Sequence, residues 1–150
     1  MHNELFMREA IMLAKEAMSE HEVPVGCVIV RNDEIVGRGR NRRERGKNAL
    51  AHAEISAIDE ACKNLGGWRL PDCTLYATLE PCPMCAGAII QARIEIVCFG
   101  AYDEKSGACG SVLNLFEYGF NHKPVVEGGL LRDECAALLS EFFQSLRKGS

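Results

Sequence analysis

The chain has 150 residues, of which 47% are hydrophobic and 25% charged, and a formal net charge of −4. That length suits one domain with a sizeable core, and the composition is that of a soluble globular protein. No apolar run approaches the ~18 residues of a membrane span, the start is an acidic amphipathic pattern and not a secretory leader, and the negative balance excludes any global attraction to nucleic acid, so a polyanionic partner has to meet a local basic patch.

Leu5, Phe6, Ala10, Leu13, Ala14, Ala17 and Met18 recur at helical spacing and predict an amphipathic helix over about residues 4–19, laid against a sheet. Val25 to Val30 reads as a strand, Asn32-Asp33 as a turn and Glu34 to Arg40 as a second strand, together a hairpin. Gly26 has two readings, close approach of a ligand to the backbone or a simple packing role. One stretch, from the end of the hairpin onward, holds Arg38, Arg40, Arg42, Arg43, Arg45 and Lys47 against a single Glu44. Such a run is either a solvated face or a set of phosphate contacts, with Arg42, Arg43 and Lys47 as the candidates. Asn41 within it is either a turn former or an amide that reads a base edge.

Residues 52–64 form a second predicted helix, stopped by Leu65-Gly66-Gly67. Trp68 follows in a loop and reads as a packing residue. Cys73 to Thr78 is a predicted strand, 83–92 a helix and Ile94 to Phe99 another strand, a succession that argues for parallel pairing through a crossover. Ala101 to Gly110 is a loop leaving that strand's end, where ligand sites of such sheets gather. Ser111 to Tyr118 reads as a weak helix, Pro124 to Glu127 as a short strand and Leu130 to Arg147 as a strong helix; the terminal Gly149-Ser150 reads as a cloning remnant.

Of the eight cysteines, Cys27 and Cys98 lie in strand-like runs and Cys62 and Cys135 in helix-like ones, where cysteine behaves as a small buried hydrophobe. Reduced thiols and a cytoplasmic setting are expected.

Pro81-Cys82-Pro83-Met84-Cys85 is different in kind. Two cysteines three apart share one side of a helical turn and can reach one metal ion. Pro83 is tolerated in a first turn, which places both sulfurs at the positive end of the helix, where thiolate is favoured. His52 offers a nitrogen, and if it caps the helix that starts there, the longer Glu54 can reach in beside the metal. Three protein ligands leave the fourth position of Zn²⁺ for water, the arrangement of a catalytic site. Because two thiolates cancel the formal charge of the ion, a proton acceptor becomes more necessary, and Glu54 fits that role. A Cys-x-x-Cys pair at a helix start is also the form of a redox motif, and the six further cysteines could complete a structural zinc. Having both halves, H-x-E and P-C-x-x-C, favours the catalytic zinc of nucleobase deaminases, whose known signature this is.

With those residues in place, the chain resembles the bacterial tRNA-specific adenosine deaminases of the cytidine-deaminase-like zinc superfamily. The stretches that carry the resemblance are Glu22 to Gly26 (EVPVG), His52 to Ile55 (HAEI), Thr78 to Ile89 (TLEPCPMCAGAI), Phe99 to Gly110 (FGAYDEKSGACG) and Asp133 to Phe143 (DECAALLSEFF). The resemblance implies a three-layer α/β/α fold with a mixed, mostly parallel central sheet, a single deaminase domain over 1–150, and a cytoplasmic homodimer that converts adenosine to inosine at the anticodon wobble position of tRNA. It also implies one Zn²⁺ per chain on His52, Cys82 and Cys85, Glu54 as proton shuttle, Asn41, Ala53 and Asp103 near the flipped nucleoside, Val23 against the base, and Phe143 on a C-terminal helix near the substrate entrance. The nearest alternative is deamination of a free base or nucleoside such as guanine or cytidine. A zinc-stabilised RNA-binding subunit without catalysis is the remote one, and it leaves Glu54 and the open metal position without a use.

Overall fold

The structure is a computed structural model, and it describes residues 3–148; Gly149-Ser150 lies outside them. Helix α1 (Glu4–Ser19) starts where the Asn3 side chain accepts the Leu5 amide, a cap of the kind worth about 1 kcal/mol. Strands β1 (Gly26–Arg31) and β2 (Glu34–Arg40) form the expected hairpin, turning through Asn32 and Asp33, which both take positive φ. A four-residue helix, α2 (Arg43–Gly46), interrupts the basic stretch, and α3 (Ala53–Leu65) follows. Then come β3 (Cys73–Leu79), α4 (Pro83–Ala92), β4 (Ile96–Ala101), β5 (Val125–Gly128) and α5 (Arg132–Lys148).

The sheet order is β2-β1-β3-β4-β5. The pairings divide evenly, β1 antiparallel to β2 and β3, and β4 parallel to β3 and β5, so the sheet is mixed as expected but no more parallel than antiparallel. Strand alternation sorts the side chains into two layers. Cys27, Ile29, Leu75, Ala77, Val97 and Phe99 face the core shared with α3 and α4. Val28, Val30, Tyr76 and Cys98 face the core shared with α1 and α5. Three layers result, with α3 and α4 on one face and α1 and α5 on the other.

Small residues set how closely the helices approach. A Cβ on Gly37 would overlap the Ala57 carbonyl of α3, and one on Gly39 the Ala53 carbonyl, while Ala53, Ala57 and Ala61 supply the matching flat side of the helix. On the other face, a Cβ on Gly26 would overlap the Ala10 carbonyl of α1, which decides its two readings in favour of packing. The seam between β2 and α3 fixes where the first residues of α3, Ala53 and Glu54, fall.

Three local expectations are corrected, the first being α5, which begins at Arg132 and not at Leu130 because Leu131 takes a left-handed φ of 53°. Ser111 to Tyr118 is not a helix; only Leu115–Glu117 forms a single 3-10 turn, because Val112 N–H and Leu115 N–H are drawn back to the Gly107 and Ala108 carbonyls. β4 begins two residues later than predicted, since Ile94 N–H closes the end of α4 on the Ile89 carbonyl.

Candidate active site

At one edge of the sheet six chain segments converge: the ends of β2, β3 and β4, the residues entering β1, and the N-termini of α3 and α4. His52 is the N-cap of α3 and Cys82 the N-cap of α4, both with extended backbone and neither using its side chain to cap its own helix. Pro83 opens α4 as its first residue, and Cys85 follows one turn in, fully buried. Both ligand-type side chains that sit at cap positions are therefore free to turn toward Cys85.

They do so. Cys82 Sγ and Cys85 Sγ each lie 3.6 Å from His52 Nδ1. Bonds of about 2.3 Å to sulfur and 2.0–2.1 Å to nitrogen, meeting at a tetrahedral angle, would span ~3.5 Å between the donor atoms, so the trio fits zinc. Among the described residues, this is the group of His, Cys and acidic ligand atoms close enough to hold one ion, all within 4.8 Å of one another, and no fourth protein ligand joins it. The protons are shared in the way a cation would exploit. Cys82 is drawn down to about 4, first by its hydrogen bond with Cys85 and then by that with His52. His52 is raised, chiefly by the same bond to Cys82, and Cys85 is pushed up by Cys82 and by burial. A bound cation displaces such protons, because its ligands must be deprotonated thiols and a neutral imidazole.

Glu54 sits in the first turn of α3, only 4% exposed. Burial, with the Cys82 charge adding to it, pushes its carboxyl up to about 7. A group that titrates there both accepts and returns a proton near neutral pH. The extended backbone at His52 resolves the two-residue spacing of H-x-E, since His52 stands outside the helix and Glu54 inside it.

A cleft of about 170 Å³ opens over these groups, smaller than the ~300–1,000 Å³ sites that enclose a drug-sized ligand. Val23, Asn41, Ala53 and Asp103 all line it together with His52, Glu54 and Cys82. Asn41 is held in place, its Nδ2 donating to the Val23 carbonyl and its Oδ1 accepting from Arg43 N–H, which leaves one N–H and one lone pair for a ligand. Asn41 is thus a turn former, and it also lines the cleft.

The basic candidates separate. Arg43 lines the cleft, whereas Arg42 lines a neighbouring polar groove with Arg38 and Lys63, and Lys47 is exposed at the left-handed cap of α2. Arg40 is bound to Glu20 at 2.8 Å and lies 3.7 Å from Glu16, so the run is less positive than its composition indicates. Phe143 is not brought to the cleft. It is 43% exposed on α5, edge-on to Phe142, in the layer across the sheet from α3 and α4. Trp68 is a surface residue, 55% exposed with the Arg69 guanidinium 4.4 Å from its ring centroid, and not the packing residue expected.

Two buried carboxylates escaped the sequence reading. Glu22, fully buried, accepts the Glu44 and Arg45 N–H groups and so holds the α2 turn that carries Arg43. Glu80, 2% exposed, lines the cleft and holds the loop after β4. The one signal available was an acidic residue set directly against an apolar one beside a strand, Glu22 before Val23 on the way into β1 and Glu80 after Leu79 at the end of β3.

Residues 1–101 match the family described as the cytidine and deoxycytidylate deaminase zinc-binding region. The chain is 54% identical over 147 residues to a tRNA-specific adenosine deaminase of Bacillus subtilis, covering 97% of this chain and 91% of that protein. A solved structure from studies of A-to-I editing by tRNA:A34 deaminases at the wobble position of transfer RNA superposes with a TM-score of 0.88 at 42% identity, covering 91% of this chain and all of that one. A guanine deaminase of Bacillus subtilis is more distant, with a TM-score of 0.66 at 33% identity over 99% of this chain and 95% of that one. By profile, by sequence and by superposition, the chain belongs to the tRNA-specific adenosine deaminases of the zinc-binding cytidine and deoxycytidylate deaminase family.

Proposed function

We infer that the chain, acting as one deaminase domain and as a cytoplasmic homodimer, hydrolyses adenosine to inosine at the wobble position of a tRNA anticodon, with release of ammonia. The observation that carries this is the His52, Cys82 and Cys85 trio, with buried Glu54 beside it, opening into a cleft lined by the nucleoside-contact candidates. The relatives support tRNA over a free base, since identity and superposition are both higher for tRNA deaminases than for the guanine deaminase. No helix among the described residues is long and apolar enough to cross a membrane.

When bound by His52, Cys82 and Cys85, zinc supplies the Lewis acidity that makes water a nucleophile near neutral pH. The rest is the chain's own work. A base can be reached only outside the stack, and an anticodon loop, being single-stranded, gives one up at small cost. Val23 and Ala53 flank the flipped base, while the pinned Asn41 amide and Asp103 orient it. Glu54 takes the proton that water gives up and returns it to the ring nitrogen beside the reacting carbon. A second transfer through Glu54 lets the amino group depart as ammonia. The cleft excludes bulk water from these transfers. The test compares inosine formation in an anticodon stem-loop with ammonia release from free adenosine, guanine and cytidine.

Arg42, Arg43 and Lys47 contact the RNA backbone in this reading. Each phosphate contact to a single strand contributes a slope of about −0.7 in log affinity against log salt. Replacing Arg42 and Arg43 together with alanine is therefore expected to flatten the slope by about 1.4, measured by stem-loop binding over a series of salt concentrations. An unchanged slope would identify the run as a solvated face.

A further inference from the structure

We propose that Glu80 is a positioning residue for the reaction, its carboxylate holding the 101–111 loop, and with it Asp103 and Ser106, in register with the Cys82–Cys85 turn. The proposal rests on the deaminase reading above. Glu80 follows the last residue of β3 and stands two before Cys82, so it is anchored to the metal-binding turn by the chain itself. Its carboxylate is committed entirely to the loop. Oε1 accepts from Asp103 N–H at 3.1 Å and from the Ser111 hydroxyl, and Oε2 accepts from Cys109 N–H and Ser111 N–H, each at 3.0 Å.

An ionised carboxylate has about four lone-pair sites, and all four are taken. Glu80 lines the cleft yet has nothing left to offer a substrate or a metal, so its influence on the reaction passes through what it holds. Two backbone bonds reinforce the link, Glu80 N–H to the Ala101 carbonyl and Ala108 N–H to the Pro81 carbonyl, both 2.9 Å. Gly107 is what permits the approach, because a Cβ there would overlap the Glu80 carboxylate. The loop thereby delivers two cleft residues: Asp103, whose Oδ1 is itself spent on the Lys105 and Ser106 N–H groups, and Ser106.

The experiment uses the zinc-loaded full chain with Glu80→Gln, Ser111→Ala and both together. Glutamine keeps the shape but sets an NH₂ group against N–H donors that had a charged acceptor. In Glu80→Gln, kcat/KM on stem-loop RNA is expected to fall about 10²-fold, the scale of a ~1 Å displacement of a positioning contact. Zinc should stay at one per chain. Hydrogen exchange should quicken at the Asp103, Cys109 and Ser111 amides while β3 and β4 keep their protection, a local opening. Ser111→Ala, which removes one side-chain bond and keeps the carboxylate, should lose less, and the double variant should lose less than the two losses combined.

Unchanged kcat/KM in zinc-loaded Glu80→Gln would overturn the proposal. So would exchange that quickens equally in β3 and β4, the mark of a residue that only stabilises the fold. If Glu80→Gln does not fold, Ser111→Ala decides: unchanged kinetics and unchanged Asp103 exchange overturn the proposal, and a selective rise supports it. Should the unsubstituted chain fail to deaminate RNA, the functional reading falls on its own, and loop exchange, which needs no substrate, still judges Glu80.

Discussion

Glu54→Gln is expected to keep zinc at one per chain and to bind stem-loop RNA as before, while turnover falls by about 10⁴-fold or more. The substitution preserves size and hydrogen-bonding atoms and removes only the ability to carry a proton. Glu54 lies outside the group of atoms that can share one ion, which is why the metal should stay. Its burial makes the loss large. A 4% exposed carboxylate raised to about 7 has little water beside it to take over the transfers, and it serves more than one of them. General acid–base groups typically contribute about 10² to 10⁴, and a residue used repeatedly in one turnover belongs at the upper end. Zinc content, RNA affinity and inosine formation measured on one preparation separate the possibilities. Loss of metal would make Glu54 a ligand, and near-normal turnover with zinc retained would refute the shuttle.

Cys85→Ala is the second large effect. Losing a hydrogen-bond partner that merely orients a ligand costs about 10- to 100-fold in metal affinity, so losing one of three ligands should cost more than 10². The buried position of Cys85 in the first turn of α4 leaves no neighbouring side chain to substitute for it, since the other candidate atoms lie outside the group. Zinc is expected to wash out on dialysis against a mild chelator under conditions in which the unsubstituted chain keeps it, and deaminase activity should drop to background and not return on adding zinc in modest excess. A redox role for the Cys82 and Cys85 pair predicts the reverse, activity that survives the chelator and responds to thiol oxidants.

The periodic parts of this chain are legible in its sequence. α1, β2 and α4 begin and end where hydrophobic spacing and Pro83 placed them, because local sequence decides those boundaries. The metal trio was legible for the same reason, its residue types and spacings being themselves the requirement of the chemistry. What was hidden depends on distant partners. Nothing near Arg40 shows that Glu20 neutralises it, and nothing near Glu22 shows that its carboxylate caps a turn more than twenty residues on. Phe143 lies on an amphipathic helix whose sequence says which side is apolar but not which face of the sheet receives it; Arg8 of α1 pairing with Glu134 marks the layer it joins. Trp68 was assigned by residue type alone, and its surface position follows from the Gly66-Gly67 turn, with Gly66 at a φ of 76° ending α3 just before it.

The central claim is best tested by incubating the purified, zinc-loaded chain with a tRNA carrying adenosine at the wobble position and sequencing the product for inosine, with free guanine, adenosine and cytidine assayed for ammonia in parallel. Conversion confined to the wobble adenosine, with free bases and nucleosides left essentially untouched, is the predicted result. Ammonia released readily from guanine or cytidine, with the tRNA unchanged, would contradict it.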